Sequence, residues 1–104
     1  MLLNYVPCQN CFSPIADLEW VVKQAKRNLH STKHGVSLHY FTCPQCHKKW
    51  AVIVLADQEM WGFLVTQAEA GEILYQKVLQ MRENQLSIYE IKKAIFAQGL
   101  PYIS

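Results

Sequence analysis

The chain has 104 residues, of which 51% are hydrophobic and 17% charged, so its composition is that of an ordered globular protein and excludes a disordered one. This length supports one modest hydrophobic core. The net charge is +2, but residues 1–50 hold six Lys or Arg against two acids, and residues 51–104 hold four against six. The front half is basic and the back half acidic. Four thiolates bound to one zinc ion would bring the whole protein close to neutral, so the net charge overstates its attraction to nucleic acid.

The first residues carry no basic leader, and Pro7 and Cys8 follow before an apolar secretory segment could form. The longest apolar run, from Trp50 to Ala56, is too short to cross a bilayer. We therefore expect a cytoplasmic protein without a membrane segment, whose thiols stay reduced.

The first predicted element is a turn, Cys8-Gln9-Asn10-Cys11, with Pro7 before it and Pro14 after it. Proline on both sides restricts the backbone and favours a turn over a continuing helix or strand. Two residues between the cysteines allow both sulfurs to reach one metal ion.

The segment from Ile15 to Leu29 is ambiguous, because its apolar residues fit a helical face while Trp20-Val21-Val22 has strong strand preference. We predict a strand over Ala16–Gln24, since a metal site built on two turns needs sheet partners. The polar segment Lys26–Gly35 is then predicted to be a loop.

Two apolar runs follow, Val36–Thr42 with alternating polarity and Trp50–Ala56 with almost none. The turn Cys43-Pro44-Gln45-Cys46 joins them and repeats the Cys-x-x-Cys spacing. We predict a hairpin with a metal ion at its tip.

Asp57 is a plausible helix N-cap, so we predict that a helix begins there and continues to about Met81. A competing interpretation makes Trp61–Val65 another strand. The pair Asn84-Gln85 is predicted to break this helix.

The spacing of Ser87 and Glu90 is that of a capping box, which predicts a second helix ending at Gly99. The two helices are predicted to form a hairpin. Their apolar residues exceed what one small hairpin can bury, so we expect them to pack on the sheet, with self-association as the second choice.

Four cysteines in two close pairs, Cys8, Cys11, Cys43 and Cys46, predict one tetrahedral metal site with four thiolate ligands. Such a site leaves no position for water, which favours a structural Zn²⁺ over a catalytic one. Because a ribbon of about 50 residues buries little apolar surface alone, we expect a chelator to unfold it.

Other interpretations of these cysteines are weaker. Covalent haem attachment at Cys43-Pro44-Gln45-Cys46-His47 would require export, and a thioredoxin-like site would require a helix after the motif. Replacement of a sulfur ligand by His47, and four unligated buried cysteines, are minor alternatives. Iron held by four cysteines has similar spacing and stays open.

Residues 5–56 resemble a zinc ribbon, because two Cys-x-x-Cys turns are separated by a linker and Trp50 lies after the second. Together with the segment after residue 56, the chain is similar to small zinc-ribbon proteins of bacteria and phages. The resemblance implies binding to nucleic acid or to transcription and replication machinery, without catalysis. Glycine is often the residue after each cysteine pair in this family, but here Phe12 and His47 occupy these positions.

The expected fold is therefore α+β, with an N-terminal three-stranded antiparallel zinc ribbon over residues 1–56 and a C-terminal helical hairpin over residues 57–104. Six basic residues are candidates for phosphate contacts: Lys23, Lys26, Arg27, Lys33, Lys48 and Lys49. Four aromatic residues are candidates for base stacking if a sheet face is exposed: Trp20, Tyr40, Phe41 and Trp50.

We expect a nonenzymatic protein that binds DNA or RNA, as a monomer or homodimer, because the sequence has no nucleophile beside a base and no glycine-rich phosphate loop. The alternative is an adaptor, or an inhibitor from a phage or mobile element, that docks on a protein through the C-terminal helices. A redox protein is a weaker third hypothesis.

Overall fold

The computed structural model describes residues 4–31, 33–58 and 60–97, except the side chains of residues 31, 33, 96 and 97. Its elements are β1 Tyr5–Pro7, β2 Pro14–Asp17, α1 Leu18–Ser31, a short 3₁₀ turn Lys33–Gly35, β3 Val36–Thr42, β4 Lys49–Ala56, β5 Trp61–Gln67, α2 Ala68–Glu83 and α3 Ile88–Ala97. Strands β1 and β2 form one antiparallel sheet, and β3, β4 and β5 form a second in that order.

The class is α+β, but the predicted arrangement, an N-terminal three-stranded zinc ribbon followed by a C-terminal helical hairpin, is wrong. The three-stranded sheet lies in the middle of the chain, and only a two-stranded sheet precedes α1. Strand β5 pairs with β4 along its whole length, so this sheet spans the boundary drawn after residue 56.

Strand β4 is central in its sheet and buried on both faces, which explains its continuous apolar sequence. Because successive side chains point to opposite faces, Val52 and Val54 join one core cluster while Ile53 and Leu55 join another. The first cluster lies against α1 and the two-stranded sheet, and the second lies against α2 and α3.

Of the strand predicted over Ala16–Gln24, only Ala16 and Asp17 lie in a strand, at the end of β2. Helix α1 replaces the rest of that strand and most of the loop predicted over Lys26–Gly35. Val21, Ala25 and Asn28 are buried at helical spacing along one side of it. The Asn28 side-chain amide donates to the carbonyl of Val54 at 3.0 Å, which ties the helix to the central strand. Tertiary packing thus outweighs the local strand preference of the segment.

Asp57 caps the connection between β4 and β5 instead of a helix. Its carboxylate accepts from the backbone N–H of Met60 at 2.8 Å, and its own N–H donates to the Met60 carbonyl at 2.9 Å. These bonds close the connection between β4 and β5, so the helix predicted to begin at Asp57 begins only at Ala68. The competing interpretation of Trp61–Val65 as a strand is the correct one.

Helices α2 and α3 pack on the sheet. This packing was expected, because the two helices have more apolar residues than they could bury against each other. Gly71 sits where a Cβ atom would lie 2.5 Å from the Cβ of Ala51, so α2 approaches β4 very closely there. The capping box of α3 is confirmed, because Ser87 and Glu90 each accept the other's backbone N–H at 3.1 Å. The end predicted at Gly99 lies outside the described residues.

Candidate metal centre

The four cysteines converge at one end of the two sheets. Their sulfur atoms all lie within 4.8 Å of one another. Two contacts cross between the turns, since the sulfurs of Cys8 and Cys46 are 3.5 Å apart and those of Cys11 and Cys43 are also 3.5 Å apart. A tetrahedron with bonds of about 2.3 Å from metal to sulfur has edges of about 3.8 Å, so the cluster fits such an ion.

The two cysteine turns have the same backbone design, although one joins β1 to β2 and the other joins β3 to β4. In the first, Phe12 donates to the carbonyl of Cys8 at 2.9 Å, and Cys8 donates to that of Ser13 at 2.8 Å. In the second, the backbone N–H of His47 donates to the carbonyl of Cys43 at 2.9 Å, and the backbone N–H of Cys43 donates to the carbonyl of Lys48 at 2.9 Å. Each turn thereby presents two sulfurs in the same way.

The residue after each pair has a left-handed backbone, with φ of 66° at Phe12 and 61° at His47. Glycine adopts this conformation without steric cost, whereas residues with a side chain adopt it only rarely. The departure from glycine in the sequence is therefore accommodated by two strained residues.

Backbone donors and burial set the protonation of the two leading cysteines in opposite directions. Burial acts to raise the pKa of Cys8, but the N–H groups of Cys11 and Asn10 and the Cys46 thiol together lower that pKa to about 6. The N–H of Cys46 acts to lower the pKa of Cys43, but burial and the neighbouring thiols raise it to about 11. The backbone donors thus favour the thiolate of Cys8, which is the form of cysteine that binds a metal.

Ser13 contacts the cysteine cluster, which the sequence did not reveal. Its hydroxyl lies 3.4 Å from the sulfur of Cys11 and lowers the pKa of that thiol, because a hydroxyl can donate to a thiolate. No contact with the cysteines was predicted for Ser13. Its position two residues after Cys11 is the only signal that could have indicated this contact.

The donor set is four sulfurs, and the metal-ligating group among the described residues contains no histidine. Cys8 and Cys43 are fully buried in the core cluster next to α1, whereas Cys11 is exposed. A closed thiolate set of this kind suits a structural ion, because no ligand position is open to a substrate. The second turn leads into β4, so the helix that a thioredoxin-like site requires is absent from it.

The predicted basic residues fall into two groups. Lys23, Lys26 and Arg27 lie on the exposed side of α1, and Lys48 and Lys49 lie exposed where the second turn enters β4. A further one, Lys33, belongs to the 3₁₀ turn, and its side chain is outside the described set. Nucleic-acid contact by these residues stays a prediction.

The predicted stacking aromatics are mostly part of the core. Trp50 is 5% exposed, and Trp20 packs edge to face on Phe41 with ring centres 5.0 Å apart. Only Tyr40 of these four is largely exposed, at 54%. The sheet face therefore offers no continuous stacking platform among the described residues.

Comparison with known proteins gives no match to a family model, a curated protein or a solved structure. The resemblance to zinc ribbons thus has its support in the four cysteines and in the paired turns that carry them. Within the described part of the chain, no helix combines the length and the apolar character that crossing a membrane demands.

Proposed function

We propose that this chain is a nonenzymatic zinc protein that binds nucleic acid through the basic side of α1. The observation that carries the proposal is the placement of Lys23, Lys26 and Arg27 at helical spacing on one exposed surface. Cations three and four residues apart on a helix project in the same direction and can contact successive phosphates. Lys48 and Lys49 add charge beside the cysteine turns.

Zinc is the ion that we assign to the cysteine cluster. Four thiolates in a tetrahedral arrangement select zinc or iron, and zinc is favoured because the sequence gives no sign of a redox partner. Elemental analysis of untagged protein should give one zinc per chain. A visible absorbance band with iron in place of zinc would overturn this assignment.

Acidic residues near the start of α1 limit where a nucleic-acid strand can lie on this helix. Asp17 and Glu19 line a shallow groove at the start of α1, together with Lys23 and Lys26. Phosphates would be repelled from the acidic end of this groove, so we place the contact along the later turns of α1. Since the thiolates must stay reduced to hold the ion, the proposed compartment is the cytoplasm.

The test is fluorescence anisotropy with short single-stranded and duplex oligonucleotides at several salt concentrations. We expect the logarithm of the binding constant to fall with the logarithm of salt with a slope of about three to five, from as many phosphate contacts. The double variant Lys26→Ala and Arg27→Ala should weaken binding and reduce the slope by about two.

The matched control removes two charges elsewhere, at Lys92 and Lys93 of α3, which packs on the opposite face of the sheet. This control should bind as the parent protein does. Binding that is insensitive to salt, or equal losses in the two double variants, would contradict the use of α1.

A second candidate function is docking on a protein partner through α2 and α3. The observation in its favour is that Ile73 is 72% exposed and Tyr89 57% exposed on these helices. Most other apolar residues of the two helices are buried against the sheet, which leaves this surface small. This alternative would be favoured if a protein partner copurifies with the chain after nuclease treatment and no longer does so with the variant Ile73→Ser.

A further inference from the structure

The four cysteines of the cluster differ in their exposure to solvent. Cys8 and Cys43 are fully buried and Cys46 is half-buried, whereas Cys11 is exposed. A cysteine that ligates a metal is a thiolate, and thiolates are the form that oxidants attack when they can reach the sulfur. A small oxidant in solution should therefore meet the cluster first at Cys11.

The sulfurs make two close contacts across the turns. The sulfur of Cys11 lies 3.5 Å from that of Cys43, and the sulfur of Cys8 lies 3.5 Å from that of Cys46. Since the S–S bond of a disulfide is about 2.05 Å long, the sulfurs of either pair need to approach by only about 1.5 Å to form one. The exposed cysteine thus has a buried one within reach on the opposite turn.

A disulfide across the turns differs in its effect from one within a turn. Cys11 and Cys43 are 32 positions apart in the sequence, whereas two residues separate the cysteines of each turn. A bond that closes the longer loop restricts the unfolded chain more. It also joins the β1–β2 connection to the β3–β4 connection, which is what an ion held by all four cysteines would do.

We propose that hydrogen peroxide converts Cys11 and Cys43 into a disulfide that replaces the metal ion as the link between the turns. The Cys11 thiolate attacks one peroxide oxygen, so that an S–O bond forms, the O–O bond breaks, and a sulfenic acid and a hydroxide result. The Cys43 thiolate then attacks the Cys11 sulfur, forms the S–S bond and expels a second hydroxide. Each sulfur has lost one electron and the peroxide has gained two, and two protons from solvent turn both hydroxides into water.

Oxidation of this pair leaves two of the four sulfurs, those of Cys8 and Cys46, for the ion. Two ligands are too few for a structural site, so zinc should be released. The inference rests on the zinc assignment in the proposed function and adds a response to peroxide. The oxidised chain differs from a chelated one, because its turns stay covalently joined.

The first test uses protein loaded with one equivalent of Zn²⁺ and treated with hydrogen peroxide in the absence of a reductant. A chromophoric metal indicator measures the released zinc. Samples taken at intervals are alkylated at acidic pH and digested without reduction for peptide mapping. We expect the earliest disulfide to join Cys11 to Cys43, with one zinc ion released for each such bond, and zinc to rebind after dithiothreitol.

Three results would overturn the proposal. The first is an early disulfide within either turn, and the second is zinc release with sulfinic acids in place of a disulfide. The third is retention of zinc at peroxide concentrations that oxidise free glutathione. The mapping is done on the parent chain, so these outcomes do not depend on the folding of any variant.

Two substitutions that each remove one sulfur provide a matched pair. Cys46→Ser keeps both members of the proposed disulfide, so it should still form the bond between Cys11 and Cys43. Cys11→Ser removes the exposed member of the cluster, so the remaining thiols should be consumed by peroxide several times more slowly than in Cys46→Ser. Equal rates of thiol loss in the two variants would overturn the role of Cys11 as the point of attack.

This inference and the proposed function can fail separately. Because zinc is added before the oxidation, the mapping decides the inference whichever metal the freshly isolated chain contains. Iron in the isolated chain would contradict the zinc assignment alone. Zinc in the isolated chain that peroxide does not displace through this disulfide would contradict only the inference, and oligonucleotide binding through Lys26 and Arg27 is measured independently of both.

Discussion

At the scale of single residues, the metal centre depends on groups that position sulfur rather than on sulfur alone. Backbone donors from Asn10 and Cys11 act on Cys8, and the left-handed backbone at His47 lets the second turn close. The four cysteines of the candidate site were predictable as a group, because the repeated Cys-x-x-Cys spacing indicates that they can meet. The supporting contact of Ser13 was not, since it depends on a turn geometry that no spacing rule states.

The first prediction compares a cysteine of the cluster, Cys43, with a residue that only shapes the turn, His47. Cys43→Ser removes a buried sulfur from the cluster, so we expect zinc affinity to fall by more than the roughly 10–100-fold typical of an outer-shell partner. His47→Gly should keep the zinc, because φ at this position is 61° and suits glycine, and because the cluster contains no histidine among the described residues. Zinc content by elemental analysis is the measurement. Loss of zinc in the glycine variant would instead identify His47 as a ligand.

The second prediction concerns the protonation of His39 on β3. Burial, and secondly the charge of Arg27, lower the pKa of this imidazole below its ordinary value of about 6.5. Its ring also packs on Trp20, with centres 4.8 Å apart, and its Nε2 lies 2.7 Å from the Ser37 hydroxyl. The folded state thus favours the neutral ring. The contribution of His39 to the free energy of unfolding is therefore fully present above pH 6.5 and is lost as the pH falls through the pKa of the folded state.

An NMR titration of the imidazole signals checks this directly. We expect the His39 midpoint to lie below 6.5 and to rise when Arg27→Gln removes the nearby charge. The variant His39→Gln should lose less stability than the parent between pH 7 and pH 5. A midpoint above 6.5 would show that the ring gains a partner for its charged form in the folded protein.

At the scale of elements, the sequence predicted turns and caps better than it predicted which segment forms which element. The capping box at Ser87 works through contacts within four residues, and it is present as predicted. Asp57 makes the expected local bond to a backbone N–H three residues ahead, but that bond serves a hairpin turn as well as a helix. A local signal of this kind does not specify whether a helix or a strand comes next.

The errors at α1 and β5 have a common cause. Leu18–Ser31 contains strand-forming residues yet folds as a helix, because Val21 and Ala25 then meet the sheet along one seam. Trp61–Gln67 has apolar spacing that suits either form, yet it folds as a strand, because β4 needs a partner on its second edge. In both segments long-range packing determines the secondary structure, and the periodicity of the sequence does not reveal that packing.

The third prediction tests the close approach of α2 to the sheet. In an isolated helix Gly71→Ala would add about 1 kcal/mol of stability through helix propensity. Here the new Cβ would meet the Cβ of Ala51 at 2.5 Å and the Tyr40 ring at 3.3 Å, so we expect a net loss of about 1–2 kcal/mol in the free energy of unfolding. Urea denaturation of the variant measures this loss.

A double-mutant cycle gives the control. Ala51→Gly removes the opposing methyl group, so the double variant with Gly71→Ala should be more stable than the sum of the two single effects. A stabilising effect of Gly71→Ala alone would mean that helix propensity outweighs the packing. A cycle without coupling between the two positions would show that the two methyl groups do not clash.

At the scale of the whole molecule, the sheet divides the core into two clusters with different relations to the metal. The cluster beside α1 contains Cys8 and Cys43, so it extends into the metal centre. The cluster beneath α2 and α3 contains none of the four cysteines and is built on Ile53, Leu55 and Leu64. Only the first should depend strongly on the ion.

The fourth prediction comes from this division and replaces the expectation that a chelator unfolds the metal-binding part outright. That expectation assumed a ribbon with little core, whereas the sheet is covered by helices on both faces. We expect a chelator to lower the melting temperature and to release the two cysteine turns and the β1–β2 sheet. The β4–β5 ladder should remain folded, because its second face is packed independently of the metal.

Hydrogen exchange with and without chelator measures the difference by segment. Amides of residues 8–13 and 43–48 should lose protection, while those that pair β4 with β5, such as the Ile53 and Leu64 region, should keep most of theirs. The variant Cys8→Ser should reproduce the chelated pattern without chelator, since it removes one ligand from the same cluster. If all segments lose protection together, the ion stabilises the whole fold, and the second cluster does not form a core that is independent of it.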